Sequence, residues 1–182
     1  MTLEARMKNL MIALALAGTV GGTALAADVQ TVPEVNLEAY MGTWHEQARF
    51  PMYFQRKCDR NTTAQYSLRP DGRVDVVNRC ESRDGEQIEA QAIARKVGGS
   101  TSKLEVRFAP AFLSFLPFVW GDYWIIGLDD DYRWSVVGSP DRKYLWILSR
   151  DKQLPDATYQ QLVEIARAQG FDTSRLVRSR QT

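Results

Sequence analysis

Few residues of the 182-residue chain have side chains suited to chemistry, and the first two are neighbours. His45 is the only histidine, and Glu46 follows it, so the two offer a general base and a general acid. Residues 42–50 alternate as in a β-strand with one dry face. Trp44, Glu46, Ala48 and Phe50 then face inward, and His45, Gln47 and Arg49 face outward. We therefore expect a surface His45 and a Glu46 hydrogen-bonded near Arg150 or to buried water.

The two cysteines are the next candidates for chemistry. Cys58 and Cys80 are an even pair, which favours a disulfide in an oxidising compartment, with two free thiols as the alternative. They flank a hairpin that turns at residues 70–72, which places Cys58 nearly opposite Cys80. Once they are paired, no thiol nucleophile remains. No Ser-His-Asp arrangement, metal-ligand cluster or glycine-rich phosphate loop stands out, so we predict no catalytic residue, no metal site and no cofactor.

The first 26 residues have the features of a signal peptide. Arg6 and Lys8 precede an apolar run from Leu10 to about Val20, and residues 24–26 (Ala-Leu-Ala) suit a signal peptidase. Glycines interrupt this run, which is shorter than the roughly 20 apolar residues of a membrane span. We predict cleavage after Ala26 and a mature domain of residues 27–182 that is secreted to the periplasm, with a membrane anchor as the alternative. No cysteine at the cleavage site can accept a lipid, although outer-membrane association stays open.

Eight alternating segments must form the scaffold, and tight turns join most of them. The predicted strands are residues 42–50, Thr62–Arg69, Arg73–Glu81, Gln87–Lys96, Lys103–Phe108, Asp122–Asp129, Tyr132–Gly138 and Lys143–Arg150. This pattern is typical of an all-β protein with an eight-stranded up-and-down antiparallel barrel. Asn36 caps a short helical turn before Gly42, and a C-terminal α-helix runs from Pro155 to Gly170. The apolar stripe of that helix (Tyr159, Leu162, Val163 and Ala166) should pack outside the barrel on Leu145 and Ile147.

Three motifs in this order resemble the signatures of the lipocalin family, more closely its bacterial and apolipoprotein-D-like branch. They are Gly42-Thr43-Trp44, then Asp131-Tyr132-Arg133 with Gly138-Ser139-Pro140, and finally Arg150 after residues 144–149. The resemblance covers roughly residues 35–178. It implies a lipocalin calyx with an open mouth and a closed floor, and fatty acids or lysophospholipids as ligands. Gly42, Trp44 and Arg150 are then structural, with the Arg150 guanidinium stacked on the Trp44 indole.

The inward-facing residues favour a hollow barrel over a solid one. Eight strands enclose just enough space either to be filled by side chains or to hold one small ligand. Small inward residues leave an apolar cavity for an alkyl chain, whereas packing by Trp124, Trp134 and Trp146 is the alternative. The predicted ligand-binding residues are Phe50, Tyr53, Phe54, Arg56, Ala64, Tyr66, Val76, Ala90, Ala92, Val106, Phe108, Phe112, Phe115 and Trp124. At the rim, Arg56 or Lys57 would meet a phosphate or carboxylate head group.

The sequence therefore predicts a protein that binds and stores or transports a small lipophilic molecule, with envelope maintenance as one role. The formal net charge of +1 and the lack of a basic stripe argue against nucleic acid as a partner. The apolar loop Phe112–Val119 is expected to line the mouth or act as a lid, with a homodimer surface and membrane-surface contact as alternatives. A protein-binding module that uses the open-end loops is the alternative function, and a lipocalin-fold enzyme is less favoured.

Overall fold

The computed structural model describes residues 27–108 and 119–182. The predicted signal peptide, and Phe112 and Phe115 of the predicted mouth loop, lie outside these residues. The elements are helix α1 (Leu37–Tyr40), strands β1 (Gly42–Arg49), β2 (Arg60–Leu68), β3 (Val74–Glu81), β4 (Gln87–Lys96), β5 (Lys103–Arg107), β6 (Gly121–Leu128), β7 (Trp134–Gly138) and β8 (Leu145–Ser149), helix α2 (Asp156–Ala168) and strand β9 (Val177–Arg178).

The sheet is a closed barrel. From β2 to β8 each strand pairs antiparallel with the next, and β1 pairs with both β8 and β2. This confirms the predicted eight-stranded up-and-down barrel, and the predicted strands end within two residues of the observed ones. Loops at one end join β1 to β2, β3 to β4, β5 to β6 and β7 to β8, and we call this end the mouth.

Helix α1 closes the opposite end, which we call the floor. The Asn36 side chain caps the helix by accepting hydrogen bonds from the backbone of residues 38 and 39. Trp44 is fully buried, and the Arg150 guanidinium lies 3.9 Å from its ring centroid. Arg150 also donates hydrogen bonds of 2.9 Å to the carbonyls of Ala39 and Thr43. At Gly42, φ is +95°, and a Cβ there would lie 3.3 Å from Arg150 Nη1, so glycine suits this position.

Helix α2 packs on the outside of the barrel. Its buried residues are Tyr159, Leu162, Val163 and Ala166, as the predicted stripe requires. They share one apolar cluster with Leu145 and Ile147 of β8. A second cluster, which includes Trp44, Tyr66 and Val76, lies inside the barrel. The protein thus has two cores, one on each side of the barrel wall.

A β-bulge in β1 overturns part of the predicted strand pattern. The pairing of β1 with β8 shifts between Glu46 and Ala48, and such a bulge reverses the faces of the residues that follow it. Ala48 and Phe50 were predicted to face inward, but both are fully buried in the outer cluster beside α2. Phe50 therefore packs near Phe171, at a centroid distance of 6.3 Å, and does not face the interior as its predicted role in ligand binding required.

Trp124, predicted to line the ligand site, lies outside the barrel, as does Trp134, which the alternative of a solid barrel had placed inside. Trp124 and Trp134 pack against the outer cluster, whereas Tyr123 and Ile125 belong to the inner one. The Lys103 ammonium lies 4.4 Å from the Trp124 ring centroid, which gives this amphipathic ring a polar cover on the outer face. The prediction that Trp124 binds the ligand is therefore wrong.

Residues 177–182 complete the barrel wall. Strands β1 and β2 pair only over residues 42–45 of β1. Beyond that point, β9 pairs with Ala48 and Arg49 of β1, and the carbonyl of Arg180 accepts from the Asn61 N–H of β2. The Gln181 Nε2 donates to carbonyls on both strands, at 2.8 and 2.9 Å. This segment therefore bridges the seam where the two strands separate.

Candidate ligand-binding site

Three rows of residues on β2 to β4 form much of the inner wall. The register places Ala64, Asn78 and Ala90 in the row nearest the mouth, and Tyr66, Val76 and Ala92 in the next row. Leu68, Val74 and Ala94 form the row nearest the floor. Ala92 and Ala94 are buried, whereas Ala90 is exposed although it faces inward. The interior is therefore filled at the level of Ala92 and open to solvent at the level of Ala90.

Near the floor, the barrel retains a cavity of about 20 Å³. Its lining residues are Leu37, Tyr40, Met41, Tyr66, Val74, Ala94, Leu104, Val106 and Tyr123. A water needs roughly 10–15 Å³ on this kind of measure, so the cavity has room for about one water. The phenol rings of Tyr66 and Tyr123 occupy the space that the small alanines of β4 leave. An alkyl chain that enters from the mouth must therefore stop above these rings.

The tyrosine hydroxyls form a hydrogen-bonded chain above the floor. The Tyr66 and Tyr123 hydroxyls are 2.9 Å apart, those of Tyr123 and Tyr40 are 3.0 Å apart, and Tyr40 donates to Ser135 Oγ at 3.0 Å. Burial raises the pKa of Tyr40 to about 12, and burial also raises the pKa values of Tyr66 and Tyr123. All three phenols therefore stay neutral at physiological pH and act as hydrogen-bonding groups.

Exposed aromatic rings surround the mouth. Tyr53 is 75% exposed and Phe54 is 61% exposed, and both lie in the turn between β1 and β2. Phe54 contacts Tyr144, which stacks on Trp146, each pair with centroids 6.0 Å apart. Arg56 is exposed and lies over the Tyr53 ring. The disulfide between Cys58 and Cys80, with Cα atoms 5.5 Å apart, joins this turn to β3 and confirms the predicted pairing.

A polar cluster lies on the inner wall near the mouth. Its centre is Glu46, which is 3% exposed. The Glu46 carboxylate accepts hydrogen bonds from Gln55 Nε2 at 2.9 Å and from Ser179 Oγ at 2.5 Å. Arg49 Nε lies 3.2 Å from the same carboxylate, and Trp146 Nε1 donates to Gln55 Oε1. Burial raises the pKa of the Glu46 carboxyl, although these partners oppose the shift.

The structure differs from two expectations about this cluster. Glu46 was expected to be hydrogen-bonded near Arg150 or to buried water, but the cation beside it is Arg49. Arg49 was expected to face solvent, but its side chain is only 15% exposed, because the bulge turns it inward next to Trp146 of β8. The apolar-polar alternation held no signal for either feature, because it cannot locate a bulge.

The predicted contact residues fall into four groups. The residues that face the interior are Ala64, Tyr66, Val76, Ala90, Ala92 and Val106. Those at the mouth are Tyr53, Phe54, Arg56 and Phe108. Two lie outside the barrel, Phe50 and Trp124, and the last two, Phe112 and Phe115, are not among the residues described. Asn78 was missed, although it is half-buried and lies in the same inward row as Ala90.

His45 faces away from the barrel interior, as predicted, but it is half-buried and not at the surface as expected, and burial lowers its pKa. Among residues 27–108 and 119–182, no group of three His, Cys, Asp or Glu side chains is placed to hold a metal ion. No helix within the same two ranges is long and apolar enough to cross a membrane.

A groove of about 310 Å³ lies outside the barrel, beside the start of α2. Asp129, Arg133 and Asp151 are among its lining residues, and Arg133 forms an ion pair with Asp129 at 3.0 Å. Because charged side chains line this groove, it suits an alkyl chain less well than the barrel interior does.

Comparisons with known proteins agree with this architecture. Residues 35–181 match the sequence pattern of a lipocalin-like domain. Temperature-induced lipocalin-1 of Arabidopsis thaliana is 42% identical over 158 residues, which cover 85% of this chain and 84% of the relative. Outer membrane lipoprotein Blc of Escherichia coli K12 is 38% identical over 151 residues, which cover 82% of this chain and 81% of the relative. The crystal structure of insecticyanin from the tobacco hornworm Manduca sexta shares the fold, with a TM-score of 0.66, 20% identity and 87% coverage of each chain.

Proposed function

The chain belongs to the lipocalin family, and from this premise we propose that it binds one small lipophilic molecule in its barrel and stores or carries it through water. The proposed ligand is a fatty acid or a lysophospholipid. Its alkyl chain enters from the mouth, and its head group stays near the rim. Release follows when a membrane or a partner protein offers a more favourable site.

The observation that carries this proposal is the exposure of Ala90. This residue faces inward in the middle of a continuous run of β3–β4 pairs, yet solvent reaches it. An exposed inward residue fits a barrel that is hollow at this level, where β4 has also passed its last pair with β5, that of Ile93 with Arg107. Each methylene buried there would contribute about 0.8 kcal/mol, so six methylenes would contribute about 5 kcal/mol before the cost of association. A partly inserted chain is therefore enough for useful binding.

The proposal is tested by filling the hollow. Ala90→Phe places a large ring in the open part of the interior, whereas Gln91→Phe adds the same ring to the exposed outer face of the same strand. Native mass spectrometry of residues 27–182, delipidated and then mixed with lysophospholipids of several chain lengths, measures ligand bound per barrel. We expect one ligand on the wild type and on Gln91→Phe, and none on Ala90→Phe. A wild type that stays empty with every chain length would contradict the proposal, as would an Ala90→Phe variant that binds normally.

A protein-binding module is the second candidate, because Tyr53 and Phe54 are far more exposed than large apolar side chains usually are. This function would use the rim and would need no cavity. Ala90→Phe leaves both rings in place, so it separates the two candidates: a rim-dependent partner would still bind to it. The same mass spectra report the monomer-to-dimer ratio, which tests the rim as a surface for a second copy of the chain.

We also propose that residues 1–26 direct export and that the protein works in the cell envelope. The E. coli relative named as an outer membrane lipoprotein supports an envelope location. The exposed aromatic rings of the mouth suit transient contact with a lipid surface. Fractionation of cells that express the full chain tests the location, since retention in the cytoplasm would contradict it. Flotation with vesicles, with Tyr53→Ser and Phe54→Ser as the comparison variants, tests the contact.

A further inference from the structure

We propose that Arg49 binds the anionic head group, a carboxylate or a phosphate, of the ligand that occupies the barrel. This inference rests on the proposed function and adds to it a requirement for a charged head group. Arg49 replaces Arg56 and Lys57, which the sequence analysis had favoured for this role.

The bulge in β1 turns the Arg49 guanidinium toward the barrel interior at the mouth end. Strand β1 runs from the floor at Trp44 to the mouth at Arg49, and the register pairs Arg49 with Trp146 of β8. Trp146 packs against both clusters, but it pairs with Val137 of the inner cluster, so this register position faces inward, and its neighbour Tyr144 belongs to the aromatic rim. The guanidinium therefore lies on the inner wall at the mouth end. A head group would stop there once its alkyl chain has entered the hollow near Ala90.

Most of the hydrogen-bonding capacity of Arg49 is unused. A guanidinium has five N–H donors, yet the one hydrogen bond that Arg49 forms among the described residues is a long contact of 3.5 Å to the Phe50 carbonyl. Its Nε is buried and lies 3.2 Å from the Glu46 carboxylate, with which it forms an ion pair. Nη2 forms no hydrogen bond with the described residues and is not among the buried atoms that lack a partner, so this end of the guanidinium is open to an acceptor that arrives with the ligand.

The neighbouring groups hold Glu46 in place and leave the Nη end of Arg49 accessible. Gln55 and Ser179 hold the Glu46 carboxylate from two sides, so that carboxylate cannot swing round to the far side of the guanidinium. The Nη1 and Nη2 end therefore stays available. Planar guanidinium groups bind carboxylates and phosphates through two parallel hydrogen bonds. Arg56, by contrast, is exposed and lies over the Tyr53 ring, so solvent weakens any ion pair that it forms.

The test compares ligands that share a chain and differ in the head group. The probes are palmitic acid, 1-palmitoyl lysophosphatidic acid and hexadecanol, titrated against delipidated wild type, Arg49→Gln and the matched control Arg56→Gln. We expect the wild type to bind both anionic probes more tightly than hexadecanol. Arg49→Gln should weaken the two anionic probes about tenfold or more and leave hexadecanol unchanged. Arg56→Gln should change none of the three. The two anionic probes also distinguish a carboxylate from a phosphate as the preferred group.

A second variant covers the case in which Arg49→Gln does not fold. Glu46→Gln removes the competing carboxylate, so it should strengthen binding of the anionic probes and leave hexadecanol unchanged. The inference is overturned if the wild type binds acid and alcohol equally, if Arg49→Gln weakens all three probes alike, or if Glu46→Gln has no selective effect. A wild type that binds hexadecanol without preferring the anions would leave the proposed function intact. A wild type that binds no probe would contradict both.

Discussion

The disulfide allows the most quantitative prediction. Cys58 and Cys80 are 22 residues apart in sequence. In the chain-entropy description, a cross-link that closes a loop of this size lowers the entropy of the unfolded chain and so stabilises the folded protein by about 3 kcal/mol at 25 °C. The strands beside the bond already pair, down to Arg60 with Glu81. The native state should therefore change little when the bond is lost, and most of the effect should come from the unfolded chain.

Urea denaturation of the double variant Cys58→Ala, Cys80→Ala measures this effect against the oxidised wild type. We expect the free energy of unfolding to fall by about 3 kcal/mol, which corresponds to a drop in Tm of about 6–12 °C for a domain of this size. The reduced wild type is the control, because it keeps the volume of the buried Cys80 side chain. A loss below about 1 kcal/mol in both the double variant and the reduced protein would refute the reasoning, because the unfolded chain would then gain almost no freedom.

Three further predictions concern the floor, the outer core and the mouth. Arg150→Lys keeps the positive charge but loses the planar guanidinium that donates to two carbonyls. The free energy of unfolding, measured in urea, should therefore fall by about 2 kcal/mol. An unchanged urea midpoint would argue against the role of Arg150 in closing the floor. Gly138→Ala should cost about 1–3 kcal/mol by thermal denaturation, because its Cβ would collide with the Phe171 ring, and Phe171→Leu should restore part of the loss if that collision is the cause. The pKa of the Glu46 carboxyl is raised in the folded protein, so ionisation of this group favours the unfolded state. The free energy of unfolding of the wild type, relative to Glu46→Gln, should therefore fall as the pH rises from about 4.5 through the folded pKa. Denaturation at several pH values measures this slope, and a difference that grows with pH would contradict the sign.

Local patterns predicted the fold well. Alternating segments located all eight barrel strands, because each strand has one face against a core. The helix stripe identified the partners of α2 because its 3.6-residue period is visible in sequence. The resemblance to the lipocalin family predicted the closed floor, including the contact of Trp44 with Arg150.

The site was harder to predict, for two physical reasons. A bulge adds one residue to a strand without any change in composition. The apolar-polar alternation in the sequence of β1 therefore continues to Phe50, although in the structure the inward and outward faces exchange at Ala48. The outer face of the barrel is also a core, because α2 covers part of it. Large apolar residues such as Trp124 therefore do not mark the inside. Glu46 is held by residues 9 and 133 positions away, and only the folded chain brings these together.

The bridged seam has a consequence for the order of folding. Gln181 bonds to carbonyls 119 and 135 residues earlier in the chain, whereas the hairpins of the barrel join neighbouring strands. Contacts between residues so far apart require a large loop to close, so they form slowly and after local pairings. Until residue 181 is in place, the barrel wall stays unfinished between β1 and β2. The polar segment 177–182 thus acts as the closing step of assembly, and hydrogen exchange should report the seam as the part of the wall that opens first.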